Sequence, residues 1–312
     1  MTLTIILLYL SKLIDVLVRK SNYPKENRNM QTLQHLSKNI VYLTPVGETD
    51  RPILAAVSGS KKTIIIDAGN SVQHAQLFQD ELLQANISGN FLVLTHSHWD
   101  HVFGLENVRI PVICQEKTYN NIKGMQQLSW EDHDLDQRVE AGIEIPFCAD
   151  AIKLEFGTKR NIDLPLPDII FETAITIDLG DITCVIEHVG GDHAADSCII
   201  YIPEEKTLFL GDCLYANLYA EKWNYTAEQA LILIKKIEAY DVETYILSHH
   251  EKPSTKQEME TELKLMKDCA MLVVNYKGNR DLMEQELAKQ LNRKLTESEL
   301  ETVGFFVNGY AE

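Results

Sequence analysis

Three histidines and a carboxylate fall within six positions, His96, His98, Asp100 and His101, directly after the apolar run Phe91 to Leu94. The run reads as a buried strand. If the strand conformation persists beyond it, side chains alternate by face and His96 and His98 project to one side. Asp100 and His101 then open a helical stretch reaching Glu106, where they can serve a second ion beside the first. Neutral imidazole and carboxylate are ordinary zinc ligands, and the same donors suit iron or manganese. A polar loop that holds histidine by chance is the bland alternative, and four ligand-type residues in so short a span weigh against it.

The elements that must position such a cluster recur along the chain. Ile53 to Val57 and Thr63 to Ile66 flank Ser58-Gly59-Ser60 as a hairpin, and the second strand runs out at Asp67. Asp67 would lie at the same end of the sheet as the histidines, either as a carboxylate that orients a ligand histidine or as a turn residue. Ser71 to Ala85 reads as a helix capped by Ser71. Ile182 to His188 is a strand followed by Gly190-Gly191-Asp192-His193, and His188 reads as a strand-end residue. Thr207 to Leu210 ends at Gly211-Asp212, and Thr244 to Leu247 ends at Ser248-His249-His250. Four strand ends thus deliver ligand-type residues, and the alternation of strands with helices implies helices packed on sheets.

Residues 116–168 begin as a helix, pass through Trp130 and the acidic run Glu131 to Asp136, and end in a loop with Pro165 and Pro167. So long a segment between core strands can form a lid or substrate wall. Thr226 to Tyr240 is an amphipathic helix. Beyond residue 255 the chain reads as helical: Thr255 to Tyr276, then Asp281 to Leu291 with Asp281 as cap, then a third helix whose Thr296 and Glu299 form a capping box. That tail would pack on the domain or on a partner subunit.

At 312 residues, 45% hydrophobic and 24% charged, the chain is long enough to bury a substantial core and is ordinary for a globular protein. Its net charge of −17 opposes a general role in gripping nucleic-acid phosphates. The six cysteines lack CxxC spacing and no export signal stands out, so they read as reduced thiols in a cytoplasmic protein, Cys213 among them as a packing residue. Leu3 to Val18 is apolar but broken by Lys12 and Asp15. It leaves three readings: a packed helix, a weak membrane anchor, or an extension ahead of a start at Met30.

Taken in order, His96-Ser97-His98-Trp99-Asp100-His101, then His193, Asp212 and His249, the chain resembles the metallo-β-lactamase-fold superfamily, from about residue 38 to residue 252. The resemblance implies an α/β protein, an αββα sandwich with two metal ions at one edge of the sheets. It divides the chain into an apolar extension (1–30), a catalytic domain (31–252) and a helical C-terminal extension (253–312). It also implies that His96, His98 and His193 bind one ion, that Asp100, His101 and His249 bind the other, and that Asp212 bridges, with His250 as the alternative to His249. Asp192 and Asp196 depart from the family's usual third element. The bridging Asp212 matches hydroxyacylglutathione hydrolases and lactonases, whereas true metallo-β-lactamases lack it. Antibiotic hydrolysis is therefore not the expected role.

The expected activity is hydrolysis by a dinuclear centre, most naturally zinc, in which two ions lower the pKa of a bridging water and polarise the substrate oxygen. Asp100 would orient the hydroxide or carry its proton, and Tyr215 would donate to an oxyanion. Trp99, Tyr219, Lys222 and Trp223, with Tyr225, stand near the ligand loops in sequence and would line the pocket, Lys222 holding a carboxylate. The small-molecule substrate would be an ester, thioester or lactone. A phosphodiester is the second enzymatic reading, iron redox chemistry as in sulfur dioxygenases another, and a metal-bound interaction module the non-enzymatic one. A homo-oligomer is open.

Overall fold

The structure is a computed structural model that describes residues 31–158 and 160–310. The expectations for Leu3 to Val18 and for Met30 lie outside the described residues. Seven strands form the first sheet in chain order: β1 (Leu33–His35), β2 (Ile40–Leu43), β3 (Leu54–Ser58), β4 (Thr63–Ile66), β5 (Phe91–Val93), β6 (Val112–Gln115) and β7 (Ile169–Phe171). The first four pair antiparallel, and the expected hairpin is the β3–β4 turn, with Ser58 opposite Thr63. From β4 to β7 the pairing is parallel. Parallel neighbours need crossovers, here helix α1 (Val72–Gln84), the short α2 (Trp99–Val102) with its following 3-10 turn, and α3 (Glu116–Met125), α4 (Asp132–Glu140) and α5 (Pro146–Phe156). The second sheet holds β8 (Ala174–Asp178), β9 (Thr183–His188), β10 (Cys198–Ile202), β11 (Thr207–Gly211), β12 (Thr244–Leu247) and β13 (Ser254–Thr255), side by side, with only β11 and β12 parallel.

The period of two in the strands separates the layers. Ile64 and Ile66 of β4 face the core between the sheets, whereas Ile65 faces the helices. In β2, Ile40 and Tyr42 point inward and Val41 and Leu43 outward. Burial on both faces is why these strands read as continuous apolar runs. Ile64, Ile186 and Ile200 are wholly buried between the sheets, each contributing about 1.5–3 kcal/mol. Phe78 and Leu82 of α1 cover the outer face of the first sheet. Leu208 and Leu210 of the second meet α6 (Ala227–Ile237) and α7 (Lys256–Asn275), which share a core with α8 (Arg280–Leu291) and α9 (Glu297–Asn308). The expected αββα sandwich is the observed fold, with helices at its C-terminal end.

The acidic run lies on α4 as a largely solvated face: Asp132 and Asp134 occupy its first turn, where the helix dipole favours negative charge, and Leu135 is its buried residue. One local reading changes. Asn279, not Asp281, caps α8, its side chain accepting from the Leu282 amide at 3.1 Å. Thr296 and Glu299 do form the expected capping box, and Thr255 with Glu258 forms another. All six cysteines are free and buried. Among the described residues no helix is long and apolar enough to cross a membrane.

Candidate metal centre

Parallel pairing brings the ligand loops to one edge. Ile66 of β4 lies beside Val93 of β5, so Asp67 and Leu94 leave the first sheet together, the Asp67 amide donating to the Val93 carbonyl at 2.9 Å. Gly211 pairs with Leu247, so Asp212 and Ser248 leave the second sheet together. Gly211 adopts φ +54°, and an added Cβ would meet the Thr95 side chain at 3.0 Å, so this turn favours glycine. The Cys198 amide donates to the Thr95 carbonyl at 2.8 Å and ties the two edges.

Two groups of donors result: His96, His98 and His193, and Asp100, His101, Asp212 and His249. Asp212 Oδ2 lies between them, 3.8 Å from His96 Nε2 and 3.6 Å from His193 Nε2 on one side, and 3.3 Å from both His101 Nε2 and His249 Nε2 on the other. Asp100 Oδ2 is 3.0 Å from His101 Nε2 and 3.2 Å from His249 Nε2. The far edges of the rings are held. His101 Nδ1 donates to Asp67 at 2.8 Å, and His193 Nδ1 donates to the Ala216 carbonyl at 3.2 Å. Thr95 Oγ1 lies 3.1 Å from His96 Nδ1. Asp67 also accepts from the Thr95 amide at 2.8 Å. These outer contacts leave Nε2 of each ring aimed inward.

The donor set fits divalent ions. Among the described residues, His96 Nε2, His193 Nε2 and Asp212 Oδ1 are buried without a hydrogen-bond partner, an arrangement that costs free energy unless a cation completes it. Burial keeps His96 and His98 below the ordinary histidine pKa and brings His193 to about 4, so all three offer a lone pair at neutral pH. Burial also opposes charge on His101 and His249, but the surrounding carboxylates outweigh it and raise both well above the ordinary value. Asp212 is held low despite burial, chiefly by His249 and His101. The second group therefore calls for positive charge, which a divalent cation supplies in exchange for protons.

The remaining expected residues separate. Tyr215 is at the centre, its ring 5.8 Å from His193 and 6.2 Å from His249. Tyr219, 38% exposed, sets its ring 5.4 Å from His98 and donates to Glu144 at 3.4 Å. Trp99 is buried in the core against Phe103. Lys222 is exposed, and Trp223 and Tyr225 pack against Phe305 of α9. His250 stands outside both donor groups, its ring 6.3 Å from Tyr215, and His188 ends β9 with Nε2 donating to the Ala195 carbonyl. Asp192 accepts from both the amide and the hydroxyl of Thr226, at the head of α6, and the buried Asp196 accepts from Thr118. Sequence reasoning passed over Asp50 and Glu144. Asp50 Oδ1 lies 3.6 Å from His249 Nδ1, and burial, then Asp100, raises its pKa to about 7. Glu144, also raised by burial, comes from the segment before α5.

Residues 53–249 match the family described as the Metallo-beta-lactamase superfamily, and the chain belongs to that superfamily, whose members are largely metal-dependent hydrolases. It is similar to the Beta-lactamase-like protein 2 homolog of Caenorhabditis elegans, 24% identical over 159 residues. That match is 50% of this chain and 42% of the relative, so the chain spans less than half of the relative's length. Among solved structures, the stereoselective inverting sec-alkylsulfatase Pisa1 from Pseudomonas sp. has a TM-score of 0.60 at 17% identity, covering 90% of this chain and 51% of that one. A metallo-beta-lactamase from Pontibacter korlensis has a TM-score of 0.52 at 18% identity, covering 75% and 98%. At such identities these structures share the fold.

Proposed function

We propose that the chain is a dinuclear metal-dependent hydrolase of the hydroxyacylglutathione hydrolase and lactonase-like kind, acting on an ester, thioester or lactone with zinc as its ion. The observation that carries this is the position of Asp212 Oδ2 between the two donor groups, within 3.8 Å of His96 and 3.3 Å of His249. Two bound divalent ions would supply hydroxide near neutral pH and polarise the substrate oxygen. Asp100, 4% exposed and facing His101 and His249, would orient the attacking water and take its proton. Burial, then Asp212, raises the Tyr215 phenol well above its usual pKa, so it stays a proton donor for a developing oxyanion. Tyr219, whose ring lies beside His98, would form the substrate wall with its hydrogen-bond partner Glu144, and Lys222 is exposed. Six buried thiols suit a reducing compartment such as the cytoplasm, and a small-molecule substrate suits a net charge of −17.

Initial rates of the zinc-loaded protein on a thioester, a lactone, a phosphodiester and a secondary alkyl sulfate test the reading, with Asp212→Ala as control. Carbonyl turnover lost in the variant supports it. Preferential phosphodiester or sulfate cleavage replaces the substrate class, and full activity of Asp212→Ala removes the bridging role.

A further inference from the structure

We infer that Asp50 is a positioning residue for the second ion, its carboxylate steering His249 as Asp67 steers His101. The inference rests on the dinuclear metal-centre reading and is independent of the substrate.

Three ligand histidines have a polar atom against the ring edge that faces away from the centre: Asp67 for His101, the Ala216 carbonyl for His193 and the Thr95 hydroxyl for His96. His249 differs in being partly open, with 23% of its side chain exposed on the loop after β12. Its Nε2 faces Asp100 and Asp212, and its Nδ1 faces Asp50 Oδ1 at 3.6 Å. At that distance the contact is one of charge rather than a hydrogen bond. It favours the tautomer with the proton on Nδ1, toward Asp50, which leaves the Nε2 lone pair for an ion.

The loop that carries Asp50 is built to hold it there. Asp50 adopts φ +53°, a left-handed conformation that aspartate tolerates better than most residues. On either side, Val46 and Arg51 exchange two backbone hydrogen bonds of 2.9 Å. Arg51 pairs with Glu155 at 2.7 Å, and Glu155 also accepts from Ser71 at 2.5 Å. The Thr49 carbonyl accepts from the Asn70 side chain at 2.7 Å, which ties the loop to the turn that begins at Asp67. The Ile53 amide donates to the Ser248 carbonyl at 2.7 Å, which ties it to the residue before His249. The loop therefore connects the two sides of the second donor group, and Asp50 is its contact with the ligand.

The test is zinc titration of the full chain against a competing chromophoric chelator, comparing wild type with Asp50→Asn, Asp50→Ala and Arg51→Ala. His249→Ala identifies which ion belongs to the second group, and circular dichroism reports the fold. The nitrogen-15 shifts of the His249 ring report its tautomer. The expected result is that Asp50→Asn and Asp50→Ala weaken the second ion by about 10–100-fold and change the His249 shifts, with the first ion held within about twofold. Arg51→Ala should weaken the same ion in the same direction by loosening the loop. Unchanged affinity for both ions in both Asp50 variants, or equal weakening of both ions, overturns the inference. A wild-type chain that binds no ion overturns the metal-centre reading itself, whereas two bound ions without turnover count only against the proposed hydrolysis.

Discussion

Replacing Asp67 by asparagine changes no volume and removes one acceptor, which makes it a sharp probe of the centre. Asp67 is 2% exposed and accepts three bonds: from the Thr95 amide at 2.8 Å, from the Thr95 hydroxyl at 2.9 Å and from His101 Nδ1 at 2.8 Å. Asparagine keeps one oxygen. If that oxygen serves the Thr95 amide, the new NH2 faces His101 Nδ1. The ring must then accept there and carry its proton on Nε2, toward Asp100 and Asp212, where an ion needs the lone pair. If the amide group flips instead, the Thr95 amide loses its acceptor, a buried donor left unsatisfied at a cost of about 1–3 kcal/mol. Either route predicts a loss of metal affinity of about 10–100-fold, equivalent to about 1.4–2.8 kcal/mol. Chelator competition at neutral pH measures it, with near-ultraviolet circular dichroism to confirm that the tertiary packing survives. Two ions bound by Asp67→Asn at wild-type affinity would refute the argument that Asp67 sets the His101 tautomer.

Three further outcomes follow from other parts of the fold. A Cβ at Gly104 would sit 2.0 Å from the Ala68 carbonyl, so Gly104→Ala should cost about 1–3 kcal/mol and lower the melting temperature; it should also reduce zinc retention, because the Ala68 amide donates to the His101 carbonyl. Thr255→Ala, which removes half of a capping box, should shift the urea midpoint by about 1 kcal/mol of stability and leave metal content unchanged. His74 is wholly buried, and burial, then Arg51, lowers its pKa well below 6.5. The folded state therefore resists its protonation, and the stability this contributes is present above pH 6.5 and lost as pH falls below it. Melting temperatures of chelator-treated protein between pH 7 and 5 should fall less steeply in His74→Gln than in wild type, and parallel slopes would remove His74 as a source.

The layers were legible because buried strands carry their signal locally: the triple isoleucine of β4 is apolar on both faces wherever it sits in the sheet. The cluster from His96 to His101 was legible for the same reason, four donors lying within one short segment. Asp50 was not, because its partner His249 lies nearly two hundred residues away and long-range tethers such as those to Asn70 and Ser248 bring them together. Glu144 meets Tyr219 across a gap of 75 residues. Nearness in sequence misled in the opposite direction around Trp223. Asn217 and Asn224 pair as an antiparallel bridge, so the chain reverses after Tyr219 and carries Trp223 toward α9 instead of the donors.

The short tie from Cys198 to Thr95 joins two sheets whose far ends are joined separately, where the Leu179 carbonyl takes amides from Lys61 at 2.9 Å and Lys62 at 3.2 Å. The sandwich is like a book with a spine at Leu179 and its opening edge at the histidines. Each ion would take ligands from both covers, from the segment after β5 on one side and from His193, Asp212 or His249 on the other. Metal would then serve as the clasp of the book as well as its chemistry. Stripping it should let the covers part from the histidine edge first, with amide exchange quickening around Thr95 and Cys198 while Lys61 and Lys62 stay protected.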